Sequence, residues 1–240
     1  MLMVIDVGNT HAKWKAWVEG EPYMRGRFET GDDADSFIRW LAKQKVERIV
    51  LAEVGAGSIL SRLHEAVAPG KIRQIHSQKS LLGVTNCYAE PERLGVDRLL
   101  GAVEARHLSA GKPVCVLDVG TAATLDIVDE QGMHRGGYIV PGLEMLREML
   151  QLATERVRYE RNDSLQLGYG QSTAEAVEHG TWGMLLAWLQ CEIRRFQQAY
   201  PQGQIYLTGG LMRPLSEHLP ESVICHQDLV LDALMRVALA

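Results

Sequence analysis

One pattern occurs twice in this chain, and it limits the folds open to it. At the start an apolar run, Leu2 to Asp6, passes through Gly8-Asn9-Thr10 and resumes as an alternating stretch through Trp14 and Trp17. Apolar alternation broken by a small polar turn is the signature of a β-hairpin. The same order returns later: Val114 to Leu117, then Asp118-Val119-Gly120-Thr121-Ala122, then a second strand from Ala123 to Val128. Each carboxylate closes an apolar strand two residues before a glycine. A repeat on this scale implies two similar lobes, residues 1–110 and 111–240, each offering a carboxylate-bearing turn to a shared cleft, with the C-terminal helix able to pack back on the first lobe.

The turns have a chemistry of their own. Glycine lets backbone N–H groups face a ligand without a Cβ in the way, so Gly8 to Thr10 is expected to offer donors to phosphate oxygens. Asp6 suits the metal that accompanies a nucleotide, because Mg²⁺ prefers carboxylate and phosphate oxygens. An ordinary β-turn uses the same residues, since Gly-Asn is common turn chemistry, and both readings stand on this stretch alone.

Composition narrows the function classes. A chain of 240 residues, 46% hydrophobic and 23% charged, has the length and apolar content for a substantial core. The formal net charge of −5 argues against a general grip on nucleic acid, which depends on Lys and Arg displacing counterions. Cys87, Cys115, Cys191 and Cys225 show no paired spacing, so they are expected to be reduced, mostly buried thiols of a cytoplasmic protein. The most apolar internal stretch contains Asp118 and Asp126, and no basic segment precedes a long apolar run near Met1, so neither a membrane span nor a signal peptide is expected.

Between and beyond the hairpins the pattern alternates strand and helix. A strand is expected at 25–30, a helix at 32–45 with Asp32 and Asp33 near its positive end, and a strand at 46–53. Gly55-Ala56-Gly57-Ser58 is a partial dinucleotide fingerprint, but Leu60 stands where a third small residue belongs, and a tight turn capped by Ser58 is the better reading. Residues 80–88 read as irregular. Pro91 and Gly95 punctuate the approach to a helix from about Leu99 to Leu108, with Asp97 near its start as a candidate base or a cap and Arg98 as a partner or a solvated charge. Gly136 to Gly142 follows a short strand and leads to a helix at 143–153. The arginines at 156, 158 and 161 read as solvated, and Gln171-Ser172-Thr173 opens a further helix whose N–H groups suit an anion or a hydroxyl. Thr208-Gly209-Gly210 follows a strand at 204–207.

Taken in order, Asp6-Val-Gly-Asn-Thr10, Gly95-Val-Asp-Arg98, Asp118-Val-Gly-Thr121, Gly136-Gly-Tyr-Ile-Val-Pro-Gly142 and Gln171-Ser-Thr173 resemble the type III pantothenate kinases over nearly the whole chain. The resemblance implies an α/β fold of two ribonuclease-H-like, actin-like ATPase lobes, each a mixed sheet flanked by helices, with a cleft between them. It implies a transferase that phosphorylates the terminal hydroxyl of pantothenate with ATP at the start of coenzyme A biosynthesis. By motif, Asp6, Val7, Gly8, Asn9, Thr10, His11, Ala12 and Lys13 correspond to the ATP phosphate loop, and Thr121 to a further ATP contact. Tyr88, Gly95, Val96, Asp97, Arg98 and Thr173 correspond to the pantothenate site, with Asp97 as proton acceptor. Asp118 corresponds to the ligand of a monovalent cation, K⁺ or NH₄⁺, and Asp6 to the Mg²⁺ side of the phosphates. A homodimer is also implied. Another small-molecule or sugar kinase of the same superfamily, and a non-catalytic ligand sensor on this fold, are the alternatives.

Overall fold

The computed structural model describes residues 1–31, 33–54 and 58–240; the side chains of Asp33 and Ser58 are also left aside. Asp32 and the Gly55-Ala56-Gly57 turn therefore lie outside the described residues, as does capping by Asp33 or Ser58.

The elements are β1 (Leu2–Val7), β2 (His11–Val18), β3 (Glu21–Glu29), α1 (Asp33–Leu41), β4 (Arg48–Glu53), α2 (Ser58–Ala66), β5 (Ile72–Ile75), β6 (Ser80–Leu81), β7 (Val84–Thr85), α3 (Val96–Leu108), β8 (Val114–Val119), β9 (Ala122–Val128), β10 (His134–Pro141), α4 (Leu143–Ala153), α5 (Thr173–Ala199), β11 (Gln204–Thr208), α6 (Met212–Ser216), β12 (Val223–Cys225) and α7 (Leu229–Leu239). The chain divides into two units: Met1–Leu108 with Gly132–His134 and Asp228–Ala240, and Ser109–Gln131 with Arg135–Gln227.

In the first unit the sheet order is β3-β2-β1-β4-β5 and in the second β10-β9-β8-β11-β12, the same arrangement twice. β1 pairs antiparallel with β2 and parallel with β4, and β8 likewise with β9 and β11. The fold is thus mixed α/β with two mixed sheets flanked by helices. The carboxyl ends of the central strands, where the order reverses, are where open α/β sheets hold ligands. Asp6 and Asp118 occupy those ends.

Strand alternation explains which way the carboxylates face. Met3, Ile5 and Val7 join Trp14, Phe37, Leu41, Ile59 and Leu63 in one core cluster against α1 and α2. Val4 and Asp6 alternate to the opposite face, which α7 covers on β1 and α3 and α7 cover on β4. In the second unit Cys115, Leu117 and Val119 pack with Trp182, Leu189 and Ile193, and Val116 and Asp118 take the other face.

Four sequence expectations are corrected. Residues 80–85 form a tight hairpin, β6-β7, because Leu82 and Gly83 both adopt positive φ (43° and 86°), as a two-residue hairpin turn requires. Gly136 to Pro141 lies within edge strand β10 instead of following it. α3 begins at Val96, which places Asp97 inside its first turn. Three of the four cysteines are exposed, and only Cys115 is buried. Among the described residues no helix is long and apolar enough to cross a membrane.

Candidate active site

The candidate residues fall into two sets, one in each unit. In the first, Asp6 stands on β1 directly across from Lys13 on β2, so opposite charges face one another beside the turn. Asn9, Thr10 and His11 are exposed at its tip. Val7 and Ala12 are core residues, and any ligand contact they make is through backbone. The Gly8 amide is not turned toward a ligand: it donates to the His11 carbonyl at 3.0 Å and closes the turn. The Gly120 amide does the same with Ala122 at 2.9 Å. The expectation of a Gly8 donor is corrected accordingly.

Tyr88, Gly95, Asp97 and Arg98 come together at the start of α3. Asn86, fully buried, accepts the Tyr88 N–H on Oδ1 at 2.9 Å and donates from Nδ2 to the Pro91 carbonyl at 2.8 Å. It ties Tyr88 to the turn that leads into Gly95. Arg98 is buried and its Nη1 lies 3.2 Å from the Tyr88 hydroxyl, so the reading of Arg98 as a solvated charge is corrected. Asp97 accepts the Arg98 backbone N–H on Oδ1 at 2.8 Å, a carboxylate at the positive end of a helix. The Val96 side chain is buried, which leaves its backbone for any ligand. Asn86 escaped sequence reasoning, although an Asn two residues before Tyr88 and five before Pro91 is a turn signal.

In the second unit Asp118 and Thr121 are hemmed by two glycines. Gly209 has φ +96°, and a Cβ there would stand 2.6 Å from Asp118 Oδ1 and 2.3 Å from the Val119 carbonyl. Gly142 donates its N–H to the Thr121 carbonyl at 3.1 Å, and its own Cβ would collide with the Gly120 and Thr121 carbonyls. Both glycines allow close backbone packing around the Asp118 turn.

Thr173 is exposed as the first residue of α5. Ser172 caps that helix by accepting the Glu175 N–H at 3.2 Å, while the Glu175 carboxylate accepts the Gln171 N–H at 2.7 Å, a reciprocal cap. Upstream, Arg147 and Glu178 form a buried pair 3.6 Å apart. Arg147 donates to the Ser164 carbonyl at 2.9 Å, and Glu178 accepts the N–H groups of Asn162 and Ser164. These two charges fix the segment before α5, and neither showed in the sequence. Arg156, Arg158 and Arg161 are exposed.

Among the described residues no group of three or more His, Cys, Asp or Glu side chains is placed to hold a metal ion. Asp6, at the end of β1, offers one carboxylate, a donor that fits Mg²⁺ shared with the phosphates of a nucleotide. Asp118 offers one carboxylate at its turn, where the Val119 carbonyl accepts the Leu211 N–H at 3.2 Å and the Thr121 carbonyl accepts the Gly142 N–H at 3.1 Å.

A model of the family described as type III pantothenate kinase matches residues 2–195. A protein of that name from Marinobacter nauticus is 34% identical over 100% of this chain and 99% of its own length, and one from a Marinomonas species is 36% identical over 95% and 91%. Among solved structures, a conserved protein of Campylobacter jejuni superposes with a TM-score of 0.62 at 17% identity, covering 98% of this chain and 96% of the other. An inorganic polyphosphate/ATP-glucomannokinase from an Arthrobacter species superposes with a TM-score of 0.52 at 14% identity, covering 99% and 98%. At these identities the two structures speak to the fold.

Proposed function

This chain belongs to the type III pantothenate kinase family, and on that premise we propose that it transfers the γ-phosphoryl group of ATP to the terminal hydroxyl of pantothenate, giving 4'-phosphopantothenate for coenzyme A biosynthesis. The observation that carries the reading is the cluster at the start of α3, where the Asp97 carboxylate is anchored by a backbone N–H and the buried Arg98 reaches Tyr88.

The chemistry follows from the charges. As the phosphoryl group moves through a loose, in-line transition state, the substrate hydroxyl must give up its proton, and Asp97 accepts it. One carboxylate oxygen is occupied by the Arg98 amide, which keeps the group at a defined place on the helix. Arg98 offers a planar fork of donors to an anionic part of the substrate, with Tyr88 beside it. Thr173 adds a hydroxyl at a helix start. The turn from Asp6 to Lys13 holds the ATP phosphates and Thr121 adds a further contact. Asp6 would hold Mg²⁺ together with those phosphates, where the ion would neutralise their charge, and Asp118 would hold a K⁺ or NH₄⁺ ion. Pantothenate, ATP and a second copy of the chain are the partners, in the cytoplasm; the exposed Met145, Met149 and Leu152 of α4 support a dimer.

A coupled assay of ATP consumption tests this directly. Turnover with pantothenate, none with hexoses, and a rise when K⁺ is added are expected. Turnover of a hexose without pantothenate turnover would sink the assignment.

A further inference from the structure

Asn86 is fully buried, and each of its polar groups has a partner. Its backbone N–H donates to the Lys79 carbonyl at 2.9 Å, and its own carbonyl accepts Lys79 Nζ at 2.9 Å. Its side chain divides in two directions. Oδ1 accepts the N–H of Tyr88, two residues on, which makes an Asx-turn. Nδ2 donates to the carbonyl of Pro91, five residues on, with the Gln78 carbonyl 3.5 Å away. A buried amide with its bonds made fixes one conformation, whereas an apolar side chain in the same space would hold neither the Tyr88 N–H nor the Pro91 carbonyl.

Those two bonds belong to a closed circuit. The Pro91 carbonyl also accepts the Leu94 N–H at 3.3 Å, the Gly95 carbonyl accepts the Leu99 N–H at 3.1 Å at the start of α3, and α3 carries Arg98. Arg98 Nη1 then returns to the Tyr88 hydroxyl at 3.2 Å. One planar amide therefore holds both the backbone from which the Tyr88 ring departs and the turn that leads to Arg98. Beside it, buried His134 has its ring centroid 6.2 Å from that of Tyr88 and its Nδ1 3.4 Å from Cys87 Sγ, which limits where the Tyr88 ring can swing.

We propose that Asn86 is a positioning residue for the pantothenate site: its amide sets the distance between the Tyr88 hydroxyl and the Arg98 guanidinium. This rests on the reading of Tyr88 and Arg98 as pantothenate contacts. A site held in place before its ligand arrives loses no binding energy to ordering Tyr88, so removal of the amide weakens pantothenate and leaves ATP as it was.

Asn86→Ala removes both bonds, Asn86→Ser keeps a shorter acceptor that makes the same turn more weakly, and Tyr88→Phe removes the hydroxyl alone. Equilibrium dialysis with labelled pantothenate, alongside steady-state kinetics, compares these chains and the double variant of Asn86→Ala with Tyr88→Phe. The alanine chain is expected to lose roughly fivefold to tenfold in pantothenate affinity with KM for ATP within about twofold, and the serine chain roughly twofold to threefold. Tyr88→Phe should lose about as much as the alanine chain. Adding Asn86→Ala to it should cost less than about twofold more, because the contact that Asn86 sets is already gone. If Tyr88→Phe leaves pantothenate affinity unchanged, the reading of Tyr88 as a substrate contact falls and this inference with it. If it weakens pantothenate and Asn86→Ala does not, only the role of Asn86 is overturned. Losses that multiply in the double variant, or a KM for ATP that rises as far as that for pantothenate, would overturn it too. Should the alanine chain not fold, the serine chain takes its place in the double variant, and failure of both to fold would show that Asn86 holds the fold and not the site.

Discussion

Gly95 leaves open the space into which Asp97 folds: a Cβ at residue 95 would stand 2.5 Å from Asp97 Oδ1. Gly95 is not among the glycines with positive φ, so the conflict is steric and not one of backbone strain. Gly95→Ala must push the carboxylate off its place above the helix start. A misplacement of about 1 Å in a reacting group costs on the order of 10²-fold in rate. The expected result is a fall in kcat of that order with little change in melting temperature or in KM for ATP. Unchanged kcat would show that Asp97 does not need its present rotamer.

Asp97→Asn keeps the shape and an oxygen for the Arg98 amide, so the folded chain should survive. Loss of a general base is expected to cost about 10²- to 10⁴-fold in kcat with pantothenate. Near-normal turnover in this variant would remove Asp97 from the role of base, while leaving the family membership untouched.

How much of this was legible without coordinates depends on the range of each signal. Strand side chains alternate with a period of two, so β1-β2 and β8-β9 could be read from residues near one another, and with them Asp6 and Asp118 at the strand ends. Pro91 and Gly95 marked the approach to α3 for the same local reason. No period connects Arg147 to Glu178 or Arg98 to Tyr88, because those pairs meet only once the chain has folded. A charge in a sequence carries no sign of its partner, and so the residues around Arg98 left a solvated charge open beside a ligand contact, where the folded chain buries it. The Gly8 amide was misread because a glycine reveals freedom of conformation and not the acceptor that uses it.

Asp118 offers a separate test. If its carboxylate holds the monovalent cation, Asp118→Asn should lower activity in K⁺ and leave what remains indifferent to replacing K⁺ by Na⁺. Because a Cβ at Gly209 would stand 2.6 Å from Asp118 Oδ1, Gly209→Ala should mimic part of that loss. Continued dependence on K⁺ in the Asp118→Asn variant would move the cation elsewhere.

Glu104 and Arg236, on α3 and α7, form a two-pronged ion pair at 2.8 and 2.9 Å. Glu104 is buried, and hydrogen bonding to it raises the Arg236 pKa. Arg236→Met would leave a buried carboxylate without its guanidinium, a loss of about 3 kcal/mol, at the low end for buried pairs because the arginine is one-third exposed. Replacing both residues by Met should recover most of it, since two well-packed apolar side chains do not carry the desolvation penalty. Urea denaturation of the single and double variants measures the difference. Equal losses in both would mean that packing of α7, and not the charge pair, supplies the stability.

Cys115 makes stability depend on pH at the alkaline end. Its thiol is fully buried on β8, and burial pushes its pKa well above the ordinary value, with Asp126 and then Glu192 adding in the same direction. The unfolded chain loses this proton near pH 8.5, whereas the folded chain keeps it. Above that pH the folded state binds more protons than the unfolded state, so stability falls as pH rises, by about 1.4 kcal/mol per unit from this one group. Below pH 8 both states hold the proton and the group contributes no slope. Cys115→Ala removes the titration, so between pH 9 and 10.5 its stability should fall less steeply than that of the unaltered chain by about that amount. Denaturant midpoints at pH 7.5, 9 and 10.5 measure it; parallel slopes in the two chains would mean that the buried thiol opens to solvent before it matters.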